Sequence, residues 1–142
     1  MLNISHCNKL RQLTIGFRID PYARYTNIDT LHNVASFLSE ARMSQTTNPH
    51  LRVIIFEVTF LFTLEETNNW LLHCREAMDA LDCAVSELVS RYPVLELRFE
   101  YKTIGRFIST SPGEIITKMM SITSQRTKLH VEAYKNSGKA LA

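Results

Sequence analysis

Apolar and polar residues alternate one for one along QLTIGFRID. Leu13, Ile15, Phe17 and Ile19 fall on one side of an extended chain, and Gln12, Thr14, Gly16 and Arg18 on the other. A period of two predicts a strand with one buried and one wet face. Asp20 followed by Pro21 then reads as an N-cap with proline at the first helical position. A helix predicted over 22–42 would bury Tyr25, Ile28, Leu31, Val34, Ala35 and Leu38, although Asn27 and Asn33 weaken its early part. SQTTNP is a loop by composition.

A second unit opens with LRVIIFEVTFLF, which is β-branched, aromatic and apolar on both faces. Such a strand lies in the middle of a sheet, or packs one face on a partner. Thr63 to Glu66 then form a capping box: the Thr63 hydroxyl caps while Glu66 reaches back to it. The predicted helix runs to about Arg91, and Pro93 stops it. It carries a heptad seam of Leu64, Leu71, Met78 and Val85, interleaved by Thr67, Cys74, Leu81 and Leu88 and widened by Trp70, Ala77 and Ala84. Its other face holds Glu65, Glu76, Asp79, Asp82 and Glu87, read as a solvated helix face. The seam fits either packing on the chain's own sheet or a dimer interface.

The third unit starts with VLELRFEYKT. Leu95, Leu97, Phe99 and Tyr101 alternate with Glu96, Arg98, Glu100 and Lys102. IGRFIST extends or pairs with that strand. Ser111, Pro112 and Glu114 repeat the cap–proline–acid start. The helix they open uses Ile115, Ile116, Met119, Met120 and Ile122, then continues or breaks before LHVEAY. KNSGKALA predicts a disordered tail from about position 136. The pattern predicts one α+β domain over 1–142, built from three strand-then-helix units around a long heptad-patterned central helix.

Composition narrows the picture. No apolar run reaches the roughly 18–20 residues of a spanning helix, and MLNISHCNKL lacks the layout of a secretion signal; a cytoplasmic protein is expected. Cys74 and Cys83 lie nine residues apart on one predicted helix. At about 100° per residue they face opposite ways and cannot bridge. With Cys7 they are expected to be buried structural thiols in a reducing compartment. The net charge of +2 hides a basic–acidic–basic order: +2 over residues 1–39, −5 over 40–96 and +5 from 97 onward. Basic ends fit a polyanion partner, or chance patterning on a solvated surface.

No motif demands catalysis. The glycines are scattered, the five histidines lack metal-ligand spacing, and no nucleophile elbow is present. A non-enzyme without cofactor or metal is expected. Two features suit nucleic acid. A two-stranded ribbon fits the DNA major groove. If two copies of the first strand form one, Gln12, Thr14 and Arg18 are candidate base contacts, with Lys9 and Arg11 at the backbone. The same alternation also serves an ordinary wet sheet face. In FISTSPGE, Ser109, Thr110 and Ser111 meet a predicted helix start with Arg106 upstream, a setting for phosphate or a plain capped helix. Lys118, Arg126 and Lys128 would extend the phosphate-binding surface, with Lys135 and Lys139 beyond them.

WLLHCREAMDAL, from Trp70 to Leu81, resembles the Trp-Leu-Leu helix with its Glu-Ala step in AcaB-like activators of conjugative plasmids and integrating conjugative elements. LTIGFRIDPYAR resembles that group's early strand, which runs into an Ala-Arg segment. The resemblance covers about a third of the chain, and RVIIFEVTFLF intervenes between its two pieces. It implies a homodimeric, ribbon-helix-helix-related protein that binds double-stranded DNA and activates conjugative transfer genes. An exposed surface that contacts transcription machinery is expected with it, and the heptad positions Leu64, Leu71, Met78 and Val85 are the candidate dimer seam. The competing expectation is a protein-interaction module, an adaptor or inhibitor, that works through the amphipathic helix or a sheet edge.

Overall fold

The computed structural model describes residues 7–19, 24–41, 43, 46–61, 75–104 and 112–133. The first alternating segment is β1 (Gln12–Ile19), followed by α1 (Arg24–Glu40). The apolar run is β2 (Val53–Leu61), and the heptad segment contributes α2 (Arg75–Arg91). VLELRFEYKT gives β3 (Glu96–Ile104). The last helical region divides into α3 (Pro112–Met119) and α4 (Ser121–Arg126), and LHVEA forms a fourth strand, β4 (Leu129–Ala133).

The strands make one sheet in the order β1-β2-β3-β4, and every pairing is parallel. The chain is therefore mixed α and β as expected, but its strands alternate with helices in a parallel sheet instead of forming a two-stranded ribbon. The physical reason lies in the connections. Each of the first three strands is followed by a helical crossover, and a crossover returns the chain parallel to the strand it left. In a ribbon-helix-helix unit the single strand pairs with a second copy; here β1 is bonded along its length to β2 of the same chain.

Strand order explains strand composition. β2 is central, so Ile54, Phe56, Val58 and Phe60 are fully buried and even Ile55, on its other face, is only 9% exposed. β1 is an edge strand, and its side chains alternate between exposed Gln12, Thr14, Gly16 and Arg18 and partly or fully buried Leu13, Ile15, Phe17 and Ile19. Register brings Phe56 beside Phe99. Their rings stack with centroids 4.8 Å apart and 16° between planes, the spacing of neighbouring strands.

Consecutive parallel strands joined by crossovers of one hand receive their helices on one side. Accordingly, one core cluster takes the inward residues of the strands together with Leu31, Val34, Ala35 and Leu38 of α1, Met78, Leu81, Val85 and Leu88 of α2, and Ile116 and Met119 of α3. Helix α2 ends at Arg91 because the residue before Pro93 is pushed out of helical geometry. Tyr92 is fully buried, and its hydroxyl donates to the Asn48 carbonyl. The buried Asn48 side chain donates from Nδ2 to the Cys7 carbonyl at 3.1 Å. One residue thus ties together the approach to β1, the loop before β2 and the end of α2.

Two expectations need correction. Asp82 is not on a solvated face; it is fully buried and holds the start of α4, which it separates from α3. Cys7 and Cys83 are exposed free thiols instead of buried ones; Cys83 falls on the solvent side of α2, between the stripes that pack on α1 and α4. The last helix breaks before LHVEAY, one of the two outcomes expected, and that segment contains the second edge strand, its Leu129 and Val131 packed against the core. The Asp20 cap, the Thr63–Glu66 box, Cys74 and Ser111 lie outside the described residues.

Candidate functional site

The helices cover one face of the sheet, and among the described residues nothing covers the other. Parallel sheets are almost always covered on both faces, so this face is the structure's clearest candidate site. Alternation on the four strands determines what it displays, and register sorts those side chains into rows across the sheet. The first row holds Gln12, Val53 and Glu96, and the next Thr14, Ile55, Arg98 and His130. A third holds Gly16, Glu57, Glu100 and Glu132, and the fourth Arg18, Thr59 and Lys102. Basic and acidic groups therefore alternate row by row along the strands.

Three carboxylates on neighbouring strands, about 5 Å apart, would repel strongly if isolated. Basic groups in the rows above and below offset that repulsion. Nearby, Glu96 Oε1 lies 3.4 Å from Arg98 Nε and 3.4 Å from His130 Nε2. All three side chains are a third or more exposed, so these pairs contribute little to stability and can exchange for an outside partner.

A shallow cleft of about 280 Å³ opens on this face, lined by Gly16, Arg18, Glu57, Thr59, Glu100 and Lys102 with the backbone around Phe17 and Val58. It is smaller than the roughly 300–1,000 Å³ of small-molecule sites and its lining is charged instead of apolar. It suits a protruding side chain of a partner better than an organic cofactor. A Cβ added to Gly16 would meet only the Glu57 carbonyl oxygen, at 4.0 Å. The chain's own packing therefore leaves room for a side chain there. Among the described residues no group of His, Cys, Asp and Glu could hold a metal ion, and no helix is long and apolar enough to cross a membrane.

The sequence-predicted residues are only partly brought together. Gln12, Thr14 and Arg18 share the open face, with Gln12 Nε2 3.5 Å from Thr14 Oγ1. Arg18 borders the cleft opposite two glutamates, in a mixed-charge surface. Lys9 and Arg11 are exposed where β1 begins, and Lys128 is exposed just before β4. Arg126 donates to Ser90 Oγ at 2.8 Å. Lys118 is exposed on α3. Met78 and Val85 are 6% and 0% exposed within the chain's own core, so that part of the seam packs intramolecularly. Arg106, Ser109, Ser111, Leu64 and Leu71 lie outside the described residues.

Sequence reasoning missed Glu57, Glu100, Lys102, His130 and Glu132 as members of one surface. The alternation in ELRFEYKT was a visible signal, but only the parallel register places it beside Gly16 and Arg18. Comparison with family models, curated proteins and solved structures finds no match to this chain.

Proposed function

We propose that this chain is a protein-interaction module whose working surface is the uncovered face of its sheet. The observation that carries the reading is that face itself: a parallel sheet that the described residues pack on one side only, with ionisable side chains in rows of alternating sign around a shallow cleft. Mixed charge over a broad, pleated surface suits a partner with complementary charges, and it contributes specificity and encounter rate more than raw affinity.

The surface is less suited to nucleic acid. Four strands span about 14 Å between outer backbones before side chains are counted, whereas the major groove is about 12 Å wide. No aromatic side chain lies on the open rows to stack a base. The acidic row would face phosphates.

The second reading is the sequence-specific DNA-binding activator of conjugative transfer genes, ribbon-helix-helix-related and homodimeric, that the family resemblance implies. One observation favours it: Lys9, Arg11, Arg126 and Lys128 are all exposed at the end of the molecule where the strands begin. That rim would bind the DNA backbone without choosing sequence.

One experiment separates the readings. A photo-crosslinking amino acid is placed at Thr14 or Glu57 on the open face, and at Glu87 on the helix layer, in the cell the protein comes from. Protein adducts from the sheet positions and none from Glu87 support the module. Adducts from Glu87 alone would sink it. DNA adducts from Thr14, with a gel shift on the gene's own upstream region that weakens with salt, would favour the regulator.

A further inference from the structure

We infer that the partner of the uncovered face is a second copy of this chain, laid face to face about a two-fold axis. The inference rests on the reading of that face as an interaction surface. It follows from register. On the open face β3 presents Glu96, Arg98, Glu100 and Lys102, so the signs run minus, plus, minus, plus. A series of that form is complementary to itself when reversed.

Strand β4 repeats the alternation, and β1 adds polar partners at its ends. His130 shares the row of Arg98, and Glu132 shares the row of Glu100. Gln12 shares the row of Glu96, and Arg18 that of Lys102. Consider a two-fold axis lying in the interface, across the strands, midway between the Arg98 row and the Glu100 row. It sets each strand over its own copy in the opposite direction. Glu96 then faces Lys102 of the second copy, Arg98 faces Glu100, His130 faces Glu132, and Gln12 faces Arg18. Each pairing occurs twice, as an isologous contact requires. Thr14 falls opposite Gly16, where the missing side chain leaves space.

Other placements of the axis are worse. On the Glu100 row it sets Glu57, Glu100 and Glu132 against their own copies. Midway between the Glu100 and Lys102 rows it keeps only the Glu100–Lys102 pair. Charge therefore selects one register. On β2 this register sets Val53 opposite Thr59 and Ile55 opposite Glu57 of the second copy, so the charge match is carried by β3; because two twisted sheets cross at about 30° when packed face to face, it loosens toward the edges.

The size of the face limits the strength. Four strands of about seven residues present roughly 400 Å² of flat sheet, and side-chain relief raises that toward the low end of specific interfaces, which bury about 800 Å² per partner. The dimer is thus weak and salt-sensitive. The intramolecular contacts of Glu96 with Arg98 and His130 are exposed and exchange at little cost.

The test is sedimentation equilibrium of the full chain over about 10 µM to 1 mM, in low and high salt. The wild type is expected to self-associate, about tenfold less tightly in roughly 500 mM than in roughly 50 mM salt. Arg98→Glu and Glu100→Arg are each expected to stay monomeric, because each sets like charges face to face. Mixed in equal amounts, the two variants are expected to associate, since every reversed charge then meets its opposite. The double variant Arg98→Glu/Glu100→Arg is expected to dimerise again. Lys102→Glu replaces Arg98→Glu as the disrupting variant if circular dichroism shows that the latter does not fold. A wild type that is monomeric throughout at low salt overturns the proposal, as does an association that every single reversal leaves unchanged. A monomeric wild type whose Thr14 and Glu57 positions still crosslink to another protein overturns the second copy alone and leaves the interaction face standing, so the two readings fail separately.

Discussion

The backbone N–H of Thr123 donates to Asp82 Oδ1 at 2.9 Å, and the Thr123 hydroxyl donates to the same oxygen at 2.7 Å. The neighbouring Ile122 N–H donates to Asp82 Oδ2 at 2.8 Å. Asp82 is thus an N-cap supplied from another helix, since Met120 at the cap position makes no side-chain cap bond. The carboxylate takes N–H groups that a continuous helix would direct at residues 118 and 119, which is why the helix stops after Met119 and restarts at Ser121. Asp82→Ala strips the carboxylate from the Ile122 and Thr123 N–H groups, while the Thr123 hydroxyl keeps the residue-82 carbonyl, 3.2 Å away. It is expected to cost about 2–5 kcal/mol in urea unfolding, with Asp82→Asn about half as damaging because one acceptor oxygen remains. A loss for Asp82→Ala no larger than that of Glu87→Ala, on the exposed side of α2, would refute the capping role.

Four residues further along the same stripe, Ser86 is 3% exposed and its hydroxyl has no hydrogen-bond partner. Ser90, one turn on, donates to the Ser86 carbonyl at 3.1 Å and accepts from Arg126. The polar seam between α2 and α4 is therefore satisfied at both ends and not in the middle. Removing an unpaired buried hydroxyl relieves its desolvation cost, and alanine is the better helix former. Ser86→Ala is expected to raise stability by about 0.5–2 kcal/mol, read as a higher melting temperature. A drop would mean that the hydroxyl does make a contact that matters.

Tyr92 links stability to alkaline pH. Burial raises its phenol above the ordinary value of 10.0, and the Arg52 guanidinium offsets part of that rise. The unfolded chain therefore releases this proton first. The contribution is fully present below about pH 10 and is lost as pH climbs above it, because the native state then binds more protons than the unfolded state. Tyr92→Phe also leaves the Asn48 carbonyl without this donor. It is expected to lose about 1–3 kcal/mol at neutral pH and to show a shallower decline between pH 9 and 11. Parallel declines in the two proteins would contradict the assignment.

Periodicity made some of this architecture legible and left the rest to geometry. The apolar run of β2, interrupted only by Glu57 and Thr59, announced a central strand: Ile54, Phe56, Val58 and Phe60 are buried, and Ile55 on the other face is nearly so, while Glu57 beside it is exposed. The strict alternation of β1 announced a face left wet, and it is wet. The heptad positions Met78, Leu81, Val85 and Leu88 announced a buried stripe, although the stripe serves the chain's own core. β4 escaped because five residues following a helix carry too short a period to stand out. Asp82 escaped because its partners lie about forty residues away, as backbone N–H groups that no side-chain pattern encodes. The charged rows escaped for a similar reason: Glu57, Glu100 and Glu132 become neighbours only through parallel register, which a slip of one residue would erase.

Gly16 offers a way to separate stability from association. A glycine inside a strand weakens it, through backbone entropy and the missing side chain. At this position a Cβ meets nothing closer than 4.0 Å, so the fold gains by filling it. Gly16→Val is expected to leave stability unchanged or raise it by about 0.5–1 kcal/mol, given valine's preference for strands. In the paired arrangement the same valine enters the space opposite Thr14 of the second copy and pushes the two sheets apart. Self-association is then expected to weaken at least about tenfold, since overpacking a close contact costs about 1–3 kcal/mol. Unfolding and sedimentation measured on the same preparation should move in opposite directions. If the valine variant is more stable and also associates as tightly as the wild type, the two copies do not meet over Gly16, and the charge register must be abandoned with it.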